Sequence, residues 1–440
     1  TIESPVYKFT NNMLRSATRD NKSFKHNVRS SDSVVNDLIE HIWNELSGID
    51  KKKLVIKKKK FLKTVILNCH MIANISDKRI RYSRNKNSYK VPARYTVENN
   101  TYSTFISIID ALENSQYICN DIETKALGNS LQSTFYPTYK LLKHLEKIDS
   151  SMYYFTPYPE PIILRYAEGI SVDYKDTSEI IDARKELKAY NDIRSKFTLS
   201  LKNIPVEITN SNETAKILNR FTYEDKNKNE LIIKPTYAHR VYNESFERGG
   251  RYYGTIETQI PRELRPLILI DGHDTVEVDY SSYHIRMLYH LKEIDYKEDA
   301  YGVLAKGDPV LRKVFKQIGL ISINANSFNA AVQGYLYEVK KEKFLEGFTD
   351  LSYEIVKKYT TEWMNFHSDI EQHFFSDAGA RLQNQDSKIA SKVIKHFVEK
   401  NEMILCIHDS FIVKRSLEAE LRSAMLKYYN EEIGFQPILD

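Results

Sequence analysis

The stretch that most constrains this chain is MILCIHDSFIVK, residues 403–414. Five apolar residues run into His408-Asp409-Ser410, and three more apolar residues follow. Both runs are too short and too β-branched for a helix, so they predict a buried hairpin with His408-Asp409-Ser410 at its tip. An aspartate there either meets a cation or satisfies turn donors, as Asp commonly does. A second carboxylate has to decide between the two.

TVEVDYSSYHIRMLYHL (275–291) supplies one. Val276 and Val278 alternate with Glu277 and Asp279, the period of a half-buried strand. Ile285, Leu288 and Tyr289 then follow helical spacing, with Ser281 or Ser282 as the expected cap. Asp279 therefore stands where a strand hands over to a helix. Two aspartates presented side by side at strand ends can hold two divalent metals about 4 Å apart, activating a hydroxyl and stabilising a leaving pyrophosphate. Magnesium suits such a site, because it takes carboxylate oxygens together with substrate phosphates. Between the aspartates lies DPVLRKVFKQIGLISINANSFNAAV (308–332), read as one helix with Asp308 as cap and Pro309 at its first position. Arg312 and Lys316 are four apart on one face, followed by Leu320 and Asn324. That is a fork and a point charge for a triphosphate.

The net charge of +5 conceals an asymmetry. Residues 51–100 carry 15 Lys+Arg against 2 Asp+Glu, and the other 390 carry 49 against 57. KKKLVIKKKK and KRIRYSRNKNSYK interleave cations with Tyr82 and Tyr89, a pattern suited to phosphate contact and stacking. A solvated surface with a lysine-rich composition is the competing reading. No run of 18 apolar residues suggests a membrane span. TIESPVYKFTNN lacks the apolar segment of a signal peptide. Cys69, Cys119 and Cys406 have no zinc or disulfide spacing, so a cytoplasmic setting is expected.

With 440 residues the chain has room for two or three domains. Residues 1–150 read as a basic, mainly helical nucleic-acid-binding domain, compatible with a winged helix. Its helices are expected at 32–48, 60–74 and from a Ser103 cap. A boundary falls near the Pro- and aromatic-rich 150–164. Residues 151–235 read as a helical, thumb-like connector, with a loop at 224–230. Residues 236–440 hold short strands and longer helices, an α+β texture.

Asp-strand-helix, R-x3-K helix and HD hairpin, in that order, resemble the family A polymerases over roughly residues 240–415. These are the DNA polymerase I group and the single-subunit phage and mitochondrial RNA polymerases. VDYSSYHIR is similar to the family's DYSxxExR motif, RKVFKQIGLISINA to RxxxKxxxFxxxYG, and IHDSF to the palm hairpin. SFERGGRYYGTIETQIPRELRPLI is similar to the primer-template segment TGRLSSxxPNLQNIPIR, with Arg251 on its arginine and Gln259 and Pro261 near its NIP. RLQNQDSKIASKVIKHF is similar to the helix carrying a template-contacting glutamine, here Gln385.

The resemblance implies a right-hand palm built on an antiparallel sheet, with helical fingers. It implies Asp279 and Asp409 as ligands of two Mg²⁺ (or Mn²⁺), joined by the Tyr280 carbonyl. Lys316 and Arg312 would grip the nucleoside triphosphate, with Tyr280, His284, Leu320 and Asn324 around it. Arg251, Arg286, Gln385 and His408 would meet primer and template, DNA or RNA. His284 stands where the DNA enzymes have a sugar-discriminating Glu. Leu320 and Asn324 replace Phe and Tyr, and HDSF is the form common among RNA enzymes, so the sugar is open with DNA synthesis favoured. Asp121-Ile122-Glu123 resembles the start of a proofreading exonuclease, but nothing later completes one. Priming or RNA synthesis and template-independent tailing stay open within the fold. Outside it stand a two-metal nuclease, with Glu418 or Glu420 as third carboxylate, and a non-catalytic replication initiator. A compact polymerase with its own DNA-binding module suits a phage, plasmid or other mobile element.

Overall fold

The computed structural model describes residues 22–74, 79–97, 101–122, 133–166, 170–202, 204, 212–225, 230–341 and 351–440. The fold mixes helices with antiparallel sheets. Among the described residues no helix is long and apolar enough to cross a membrane.

Residues 22–155 form a basic unit of helices and short strands. Asp32 caps the helix Ser33–Glu45 by accepting from the Val34 N–H, and the helix stops short of the expected Gly48. The next helix spans Val55–Ile72, beginning inside the lysine run rather than at 60. Phe61, Leu62, Val65, Ile66 and Cys69 bury its inner face. Tyr102–Asn114 is capped by Thr101, not Ser103, because the Thr101 hydroxyl faces the Thr104 N–H. Asp121 ends the strand Ile118–Asp121 and pairs with Arg79. Glu123 and Thr124 lie outside the described residues.

The rest of the chain holds β1 (Ile162–Arg165), α1 (Ser178–Lys196), β2 (Leu199–Leu201), β3 (Thr222–Asp225), β4 (Glu230–Ile233), β5 (His239–Asn243), β6 (Ser245–Tyr253), β7 (Ile268–Ile270) and β8 (His273–Asp279). Then come α2 (Tyr283–Leu291), α3 (Pro309–Asn324), α4 (Phe328–Lys341), α5 (Tyr353–Phe366), α6 (Gly379–Glu399), β9 (Leu405–Ile407), β10 (Ser410–Lys414) and α7 (Glu418–Ile433). A seven-stranded sheet runs β9-β10-β8-β7-β2-β4-β3, with every pair antiparallel. The connector expected to be helical thus gives the sheet β2, β3 and β4. Strands of three and four residues leave too short a pattern to outweigh the long helix beside them.

Both faces of the β9–β10 hairpin are buried. Leu405, Ile407 and Ile412 join the core shared with the N-terminal unit. Cys406, Phe411 and Val413 join the core beneath α6 and α7. Double-sided burial explains why MILCI and FIV are unbroken apolar runs rather than alternating ones. Each fully buried Leu, Ile or Phe here contributes about 1.5–3 kcal/mol.

The helix expected over 308–332 is two helices. Asp308 accepts from the Val310 and Leu311 N–H groups and Pro309 opens α3, as expected. At Ala325 the backbone turns extended, and the Ser327 hydroxyl accepts from the Ala330 N–H to start α4. Asn324, Asn326 and Ser327 compete locally for backbone groups, which favours a break there. A second sheet places β5 between a parallel β1 and an antiparallel β6. Helix α6 lies across β6, and Asn384 donates to the Phe246 and Gly249 carbonyls. Gly250, at φ +95°, permits this approach, because a Cβ there would come within 2.9 Å of Ser387 Oγ on α6 and 2.6 Å of the Tyr242 ring on β5.

Candidate active site

Asp279 is the last residue of β8 and stands opposite Ser410, the first of β10. The Tyr280 N–H donates to the Asp409 carbonyl at 3.1 Å. The two aspartates therefore leave adjacent strand ends. His408 takes the left-handed conformation at φ 58°, so that His408 and Asp409 close the tip between paired Ile407 and Ser410. Along β8, Val278 is fully buried, while Glu277 and Asp279 point to the opposite face.

Burial, then the charges of Asp409, Asp440 and Glu277, push the Asp279 carboxyl up to about 7; Lys316 opposes them. Asp279 Oδ1 is buried with no hydrogen-bond partner. A crowded carboxylate with an orphaned oxygen fits a hard cation, and the all-oxygen donor set fits magnesium. Among the described residues no group of three side chains forms a complete metal cage. Asp279 and Asp409 would hold an ion only together with further oxygens from substrate or solvent.

Two acidic neighbours escaped the motif reading. Glu277 accepts from the Ser410 hydroxyl at 2.6 Å and pairs with Arg265 at 3.3 Å. The backbone N–H of Asp440 donates to the Asp279 carbonyl at 2.9 Å, bringing the segment 438–440 onto the strand end. Glu277 was legible, two residues before Asp279 on the same strand face; the docking of Asp440 is tertiary.

His284 lies beside the site on α2. Its Nε2 is 2.7 Å from an Asp386 oxygen, and Arg251 Nε donates to the same carboxylate at 3.0 Å. Asp386 is fully buried on α6. It is a missed residue with a visible signal, because Leu382, Asp386, Ile389 and Val393 share one helical stripe and the acid interrupts it. Arg251 is thus held against Asp386 and His284.

The other predicted residues divide between the site and its surroundings. The Tyr280 ring is buried, stacked on Tyr283 at 4.4 Å, with its hydroxyl donating to the Met425 carbonyl. Only its backbone faces the site, because the strand's alternation turns its side chain into the core. Arg286 is buried and bonds the Ser281, Tyr296 and Glu298 carbonyls, so it braces α2 rather than meeting primer or template. Gln385 donates to Glu432 at 3.3 Å, toward α7 and away from Asp386 on the same helix. Arg312 forms a two-point ion pair with Asp299, Nε at 2.6 Å and an NH₂ nitrogen at 3.1 Å. Among the described residues Lys316 has no ion-pair partner, and its charge acts on Asp279. Leu320 is exposed, and Asn324 donates to the Leu320 carbonyl at 2.7 Å while packing over Gly379. His408 packs against Tyr253 at 5.3 Å between ring centroids.

No protein-family model matches the chain. No curated protein matches it in sequence. Among solved structures, the POL domain of Pol1 from M. smegmatis, in complex with DNA primer-template and dNTP, is similar at TM-score 0.35 and 11% identity. The match covers 98% of this chain and 68% of that one. A likeness of that degree identifies neither fold nor activity.

Proposed function

We infer that this chain is a template-directed nucleic acid polymerase of the family A type, extending a primer 3′-OH by two-metal nucleotidyl transfer. The observation that carries this reading is the placement of Asp279 and Asp409 at neighbouring strand ends, with Lys316 acting on Asp279 from a separate helix. In this reading β7–β10 are the palm, α3–α5 the fingers, and residues 22–150 a nucleic-acid clamp.

Divalent magnesium or manganese held by Asp279, Asp409 and the Tyr280 carbonyl would supply Lewis-acid activation of the attacking hydroxyl and neutralise the leaving pyrophosphate. Lys316 adds a positive charge on the triphosphate side of the same carboxylates. Arg312 joins it by exchanging Asp299 for phosphate oxygens. The protein otherwise positions the reactants, as phosphoryl-transfer enzymes generally do. The Asp386 contact fixes the His284 ring where it would face the sugar, favouring deoxynucleotides.

A nuclease would draw Glu418 or Glu420 to the aspartates. Instead Glu418 pairs with Arg422, and Glu420 with His396 and Lys400.

The test is extension of a labelled primer on a DNA template with Mg²⁺ or Mn²⁺, deoxy- and ribonucleotides in separate reactions. Template-dependent ladders are expected. Asp409→Ala should lower them at least about 10²–10³-fold, the scale of losing one preorganised charge-stabilising group. Ladders without template indicate tailing. No product with DNA binding retained would sink the polymerase reading.

A further inference from the structure

The hairpin tip opens onto one face of the β1-β5-β6 sheet. Pairing registers His239 with Tyr253, Val241 with Arg251 and Ile163, and Asn243 with Arg165, so these residues share that face. The opposite face, with Arg240, Tyr242, Tyr252, Ile162 and Leu164, is buried. From His408 the rings continue in steps: 5.3 Å to Tyr253, 6.4 Å on to His239, and 5.7 Å on to Tyr158. Gly254 lets the row close up, since a Cβ there would lie 2.6 Å from His239 Nδ1.

Cations flank the row. The charges acting on His239 are those of Arg165 and Lys25, and Arg165 also acts on Tyr253. His408 Nδ1, His239 Nδ1 and Arg165 Nε are buried without a hydrogen-bond partner. Lys25 leads to His26, whose Nδ1 is likewise unpartnered. There a cavity of about 270 Å³ is lined by His26, Arg29, Ser30, Lys60, Lys63 and Thr64.

We propose that this face is a track for one single nucleic-acid strand, leading from the hairpin tip past Tyr253, His239 and Tyr158 to the basic N-terminal unit. Aromatic rings a base apart, flanked by cations, are how strands are held without sequence preference. A duplex needs a wide cleft with two backbone-binding edges, whereas this is a single row. The track rests on the polymerase reading only for its direction, the tip being the reacting end.

The test is fluorescence anisotropy with a labelled oligothymidylate of about 20 nucleotides in chelator, where no catalysis occurs. His239→Ala and Tyr158→Ala should each weaken binding about tenfold, within the range for losing one stacking platform. Tyr158→Phe should bind like wild type. Arg165→Gln should weaken binding and lower the salt slope by about 0.7, while Arg165→Lys keeps both. Lys185→Gln, on the exposed face of α1, should change neither.

Iodouridine photo-cross-linking to the unsubstituted protein gives a readout independent of variant folding. Adducts are expected within residues 153–166 and 234–254. Adducts confined to the lysine-rich 51–66, full affinity in every variant, or preferential binding of a hairpin duplex would each overturn the track. Strand binding lost in the variants, with no extension by wild type, would leave the track standing and remove the polymerase.

Discussion

At Asp279 the backbone and the electrostatics pull against each other. Strand pairing places the carboxyl beside Asp409, and burial with three acidic neighbours holds it up to about 7. A carboxyl raised in the folded state binds its proton more tightly there than in the unfolded chain. Its contribution to stability is therefore fully present below the ordinary carboxylate range and is lost as pH rises to about 7. Without metal, the melting temperature of the wild type measured against Asp279→Asn should fall between pH 5.5 and 8, while the buried His26, His70, His239 and His367, held down to about 4, drive both proteins the opposite way. Magnesium should raise the melting temperature by a few degrees at pH 8 and less at pH 5.5, through binding linkage. Calorimetry at both pH values checks this; an equal magnesium effect in Asp279→Asn would remove the residue from the metal site. His284 and Arg251 both depend on the buried Asp386, which lies outside the motif that contains either of them.

The elements that carry the site are held by close packing at specific points. Helix α3, which carries Lys316, approaches α5 at Gly319, where an added Cβ would lie 2.7 Å from the fully buried Trp363. Alanine gains roughly 1 kcal/mol of helix propensity over glycine. Overpacking a filled site costs typically about 1–3 kcal/mol, so Gly319→Ala should be net destabilising. Denaturant titration checks it, and a more stable variant would show that Trp363 moves freely. The strand-then-helix at Asp279 and the Asp308-Pro309 start were legible in sequence, because capping and periodicity are local. The break at Ala325 was missed although Asn324, Asn326 and Ser327 carry a local signal for it, because the apolar spacing resumes at Phe328. The Ser282 cap also fails: it sits at φ 50° and makes no side-chain cap bond.

Across the whole molecule, one buried ion pair joins α1 to the loop before β7. Arg194 meets both oxygens of Glu257 at 2.7 and 2.9 Å, with both side chains shut from water. Arg194 also bonds the Tyr190 hydroxyl, which donates to the Ile404 carbonyl beside the hairpin strand β9. Glu257→Gln leaves the guanidinium buried without its counter-charge and should cost about 3–5 kcal/mol in thermal or denaturant unfolding. A loss under about 1 kcal/mol, the scale of an exposed pair, would show that water reaches the pair. The hairpin, the strand ending at Asp279, the Arg312–Lys316 spacing and the basic block were determined by sequence alone, because each rests on residues a few positions apart. Tertiary structure decided the partners of those residues: Asp386 for Arg251 and His284, Asp299 for Arg312, Ser410 for Glu277. It also added β2, β3 and β4 to the sheet and set His239 in line with Tyr158 and Tyr253. Pairings between distant segments depend on how buried charge and surface are satisfied in three dimensions, and no local pattern encodes that.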